Sequence, residues 1–91
     1  MDTRDFAKIV LVDGSQVLFF IENDIEAEEK TGQSKAKLNQ HVRYRGIEAN
    51  VALGGMTYEL ADKALANADE EYARKVFDTV RNLVDGAADA A

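Results

Sequence analysis

At 91 residues, with 46% hydrophobic and 31% charged side chains, the sequence has the composition of one small globular domain rather than a disordered chain. Its net charge of −6 opposes non-specific attraction to nucleic acid or to an anionic membrane through the overall field. The lack of cysteine excludes a disulfide framework and a thiolate site, and no run approaches the roughly 18 apolar residues of a membrane span.

The opening residues 1–5 are polar and expected to be unstructured. They carry acids where a signal peptide needs a basic region and an apolar run, which points to a cytoplasmic protein. Phe6 to Val12 is a run of apolar and β-branched residues, Asp13-Gly14-Ser15 is a turn signal, and Gln16 to Ile21 is apolar again. Two such runs around Asp-Gly form a β-hairpin, with a loop of two or three residues.

Two stripes of period two follow. Glu22, Asp24, Glu26 and Glu28 alternate with Ile21, Asn23, Ile25 and Ala27, while Lys35, Lys37, Asn39, His41, Arg43 and Arg45 alternate with Ala36, Leu38, Gln40, Val42 and Tyr44. Alternation of this kind places side chains on opposite faces of a strand. A turn at Thr31-Gly32 sets Glu28 against Lys35, Glu26 against Lys37, Asp24 against Asn39 and Glu22 against His41. The other face then pairs Ile25 with Leu38, Ile21 with Val42 and Phe19 with Tyr44.

At Arg45-Gly46 the parity of the apolar positions switches, so a two-residue loop pairs Tyr44 with Ile47, Val42 with Ala49, Gln40 with Val51 and Leu38 with Leu53. Gly54-Gly55 is expected to end the sheet, and Thr57 to cap a helix. Leu60, Ala61, Leu65, Ala68, Tyr72, Val76, Val80 and Leu83 recur at helical spacing up to a stop at Asp85-Gly86. Asn67-Ala68-Asp69-Glu70 has the form of a second N-terminal cap, so this segment is one long helix or a kinked one. The expected fold is α+β: a four-stranded antiparallel meander (about 6–12, 16–28, 35–45 and 47–53) and a C-terminal helix (about 57–85), in one domain, with residues 87–91 unstructured.

Little in the chain points to catalysis. His41, the only histidine, faces Glu22 in this register, as a carboxylate-oriented base or an ordinary cross-strand pair. One histidine and no cysteine do not make a zinc site, and neither Asp69-Glu70-Glu71 nor Glu26-Glu28-Glu29 has the ligand spacing of a calcium loop. Gly54-Gly55 before a helix is at most a weak phosphate cradle. No catalytic residue, metal or cofactor is therefore expected, and the chain reads as a non-enzyme.

Two surfaces remain. Val10, Val12, Leu18 and Phe20 are expected on the sheet face away from the helix, where an apolar patch marks a protein interface. That makes the chain a small acidic interaction module (an adaptor, regulator or inhibitor), as a homodimer or docked to a protein partner. The first alternative is a single-stranded nucleic-acid binder using Lys35, Lys37, Arg43 and Arg45, a basic stripe opposed by the overall acidity. The second is a small-ligand domain with a pocket between sheet and helix near His41, Tyr44 or Tyr58.

Overall fold

Asp13 and Gly14 take positive φ angles of 50° and 81°, and Arg45 and Gly46 take 53° and 76°. Two successive left-handed residues make the tight turn whose twist suits a two-residue hairpin. These turns join β1 (Ala7–Val12) to β2 (Ser15–Asn23) and β3 (Ala36–Tyr44) to β4 (Ile47–Met56). The computed structural model describes residues 7–90, with side chains to residue 87, so the expectation for residues 1–5 lies outside the described residues. The four strands pair antiparallel in sequence order, and a helical C-terminus follows. The α+β class and the meander are those expected.

The β3–β4 register matches the expected one pair for pair from Tyr44–Ile47 to Leu38–Leu53. The sheet does not end at Gly54-Gly55. A bulge there lets β4 continue to Met56, which pairs with Ala36.

Residues beyond Asn23 depart from the expected strand. Ile25–Thr31 form a helix, α1, capped by Asp24, whose side chain accepts from the Ala27 N–H at 3.1 Å. Gly32, at φ 71°, closes it by donating its N–H to the Glu28 carbonyl at 2.8 Å. The segment Glu26-Ala27-Glu28-Glu29-Lys30 consists of good helix formers that are poor strand residues, with acids in the first turn and a base in the last. Thr31-Gly32 is therefore a helix terminus and not a hairpin turn.

The β2–β3 register moves by four residues as a result. Glu22 lies opposite Lys37, Phe20 opposite Asn39 and Leu18 opposite His41. The expected pairs Glu28–Lys35, Glu26–Lys37, Asp24–Asn39 and Glu22–His41 are not formed as cross-strand pairs. Four is an even number, so every side chain keeps its face. The acid-to-base complementarity survives at one position, Glu22–Lys37.

The C-terminal segment divides into α2 (Tyr58–Asn67) and α3 (Glu70–Ala90). Thr57 caps α2 as expected, accepting from the Leu60 N–H at 3.2 Å. Ala68 is extended (ψ 95°), and Asp69 rather than Asn67 caps α3, accepting from the Tyr72 N–H at 2.9 Å. Lys8 donates to the carbonyls of Leu65 and Ala66, placing a cation at the α2 C-terminus. Helix α3 passes the expected stop at Gly86 and runs to Ala90, so residues 87–90 are helical.

Both helices cover the same sheet face. Val12, Val17, Phe19, Ile21, Leu38 and Val42 pack there against Ala61, Leu65, Ala68, Ala73, Phe77 and Val80. The Phe19 ring lies 5.7 Å from Tyr72, and Tyr44 meets Phe77 edge-on at 5.6 Å. The Tyr44 hydroxyl donates to Asp85 at 3.1 Å, anchoring the far end of α3. Among the described residues no helix is long and apolar enough to cross a membrane.

Candidate protein-interaction surface

A two-residue turn at Asp13-Gly14 makes the numbers of paired residues on β1 and β2 add to an odd total. Val10 therefore lies opposite Val17, and Ile9 opposite Leu18. Even-numbered β1 residues share the face of odd-numbered β2 residues. Val12 is fully buried under the helices and Val10 packs against that core, whereas Leu18 and Phe20 point to the uncovered face. The four residues expected as one interface patch are thus divided between the two faces.

The uncovered face gains two residues that the sequence reading missed. Ile9 and Leu11 stand beside Leu18 and Phe20 and are 58% and 61% exposed. The local signal is the one at Arg45-Gly46: a two-residue turn switches the parity of the residues that share a face. An open loop length at Asp13-Gly14 left the face of β1 undetermined.

The β3–β4 half of this face is polar. Asn39, only 2% exposed, donates through Nδ2 to Glu22 Oε1 at 2.8 Å and accepts at Oδ1 from Asn50 Nδ2 at 2.9 Å. Lys37 Nζ stands 3.4 Å from the same Glu22 oxygen, and His41 Nε2 lies 3.7 Å from Glu48 Oε1. His41 thus meets Glu48 and not Glu22. An open concavity of about 440 Å³, lined by Ile9, Gln16, Leu18, His41, Arg43 and Glu48 among others, joins the apolar and polar halves.

The four basic residues of the nucleic-acid alternative do not form one stripe. Lys37 and Arg43 are on the uncovered face, opposite Glu22 and Glu48. Lys35 lies between α1 and β3, where its N–H donates to Glu28 and its carbonyl accepts from Asp24 N–H. Arg45 is in the turn, 3.3 Å from Asp85 and over the Tyr44 ring at 5.5 Å. Tyr44 itself faces the helices.

The Gly54-Gly55 candidate is occupied by a structural contact. The Gly55 N–H donates to the Asp24 carboxylate at 2.7 Å, so the glycine pair already holds an anion of this chain. Burial raises the Tyr58 pKa, with the charge of Glu28 adding to the effect. Among the described residues no group of three or more His, Cys, Asp or Glu side chains is gathered to hold a metal. No family model, curated protein or solved structure matches the chain.

Proposed function

We propose that this chain is a small acidic protein-interaction module without catalytic activity. It pairs with a second copy of itself through the uncovered face of its sheet and acts as an adaptor, regulator or inhibitor. One observation carries the reading: Ile9, Leu11, Leu18 and Phe20 are grouped on a sheet face that no element among the described residues covers. A single exposed apolar residue is ordinary, but a group on one flat face favours association.

Charge favours a second copy over a strongly basic or acidic partner at this face. Glu22 and Glu48 are balanced there by Lys37 and Arg43, so the face carries none of the net charge of −6. Two copies can meet without opposing like fields. Four strands spaced by about 4.8 Å and up to ten residues long give a footprint of roughly 500 Å² per copy. That lies at the small end of stable interfaces, so dissociation in the micromolar range is expected.

Sedimentation velocity across a concentration series tests this. The wild type should show a concentration-dependent dimer, and Leu11→Glu and Phe20→Glu should each sediment as monomers with unchanged circular dichroism. A wild type that stays monomeric at several hundred micromolar, or a dimer indifferent to both substitutions, refutes the proposal.

A further inference from the structure

The helices lie over β1, β2 and β3 and leave the helix-side residues of β4 half open. Val51 is 43% and Leu53 44% exposed. Between them and α3 runs a groove of about 240 Å³, walled by Val51, Leu53, Tyr72 and Val76, with Lys75 and Thr79 at its rim. Gln40 also lines it. This residue is 3% exposed, and its Oε1 is buried with no hydrogen-bond partner among the described residues.

An unpaired buried amide oxygen disfavours the empty state, since folding removes water from it and supplies no donor. The terminal torsion of glutamine is soft, so the amide can turn its oxygen towards the groove. Lys75 makes no ion pair among the described residues and brings a positive charge to the rim. The walls are apolar, the floor needs a donor, and the rim offers a cation.

We infer that the groove between β4 and α3 binds a small, flat, largely apolar acid, whose N–H or O–H group donates to Gln40 while its carboxylate reaches Lys75. This site is separate from the uncovered sheet face and does not depend on dimer formation. Its volume suits one or two fused rings rather than a long chain.

Three probes separate its parts: indoleacetate, its ring N-methyl derivative, and indole. Amide chemical shifts of the 91-residue chain are followed during titration with each. Indoleacetate should give saturable shifts centred on Gln40, Val51, Leu53, Tyr72 and Val76. The N-methyl derivative, which lacks the donor, should bind about tenfold more weakly. Indole should bind more weakly than the acid, by a margin that shrinks with added salt. Gln40→Leu should abolish the difference between the methylated and unmethylated acids, and Lys75→Ala the difference between acid and indole. Absence of saturable shifts with all three probes overturns the site. Equal binding of the methylated and unmethylated acids by the wild type overturns the role of Gln40, and equal binding of acid and indole overturns that of Lys75.

Discussion

The Asp24 carboxylate accepts the backbone N–H of Gly55 at 2.7 Å, across 31 residues of sequence, and the Ala27 N–H at 3.1 Å. One side chain thereby starts α1 and ties it to the bulge in β4. The neighbouring Gly54 leaves the room for this, because a Cβ there would collide with Asp24 Oδ2.

Gly54→Ala should therefore destabilise the fold by about 1–3 kcal/mol, the usual cost of forcing an atom into an occupied space. In an Asp24→Ala background the same substitution should cost much less. Urea unfolding of the double-mutant cycle measures that coupling, and simple additivity would show that the two sites are independent.

The same contact carries a pH dependence. Hydrogen bonds from Ala27 and then Gly55 hold the Asp24 pKa below its ordinary 3.8, with Lys37 and Lys30 adding to the effect. A depressed folded-state pKa means that the stabilisation is complete above the unfolded value and is lost as pH falls through the folded one. Asp24→Asn should be less stable than the wild type at neutral pH, and the gap should close as acid protonates Asp24. Urea midpoints from about pH 7 to about pH 2.5 give the comparison; a constant gap would exclude the linkage.

Asp69 starts α3 with a hydrogen bond from Tyr72 N–H. Asp69→Ala should cost about 1 kcal/mol, whereas Asp69→Ser or Asp69→Asn should retain most of the stability. Thermal unfolding of the three variants distinguishes a cap from an incidental charge, because serine is neutral and still caps.

Phe19 and Gln40 face each other across β2 and β3, both buried, and should respond in opposite directions. Phe19→Ala removes a fully buried ring at a cost of about 3–5 kcal/mol, which is much of the stability of a domain this small. Gln40→Leu removes an amide whose oxygen has no partner among the described residues and should stabilise by about 1 kcal/mol. Denaturant midpoints read both, and a destabilised Gln40→Leu would mean that the amide is satisfied by a bound molecule or water.

The better-determined half of the fold was legible where a pattern and its cause lie close together in the chain. Arg45-Gly46 and the switch in parity around it are adjacent, and they sufficed for the whole β3–β4 register. Asp24 to Gly32 departs from the expected strand because an alternating run of acids fits a strand as well as it fits the polar surface of a short helix. A capping acid, a terminal glycine and helix-forming residues between them were the local signals for α1. The candidate interface was half legible: Leu18 and Phe20 are on the uncovered face, but the face of β1 depended on a turn length left open.

Turn residues, alternation and capping side chains, all acting over a few positions, determined the strand order, the two faces of β3 and β4, and the start of α2. Tertiary structure alone decided that α1 docks on β4, that both later helices lie on one face, and that the Gln40 Oε1 is buried without a partner among the described residues. The physical reason is reach. Backbone preferences are set by neighbours in sequence, whereas Asp24 meets Gly55, and the sheet loses or keeps its cover, only once distant segments have packed.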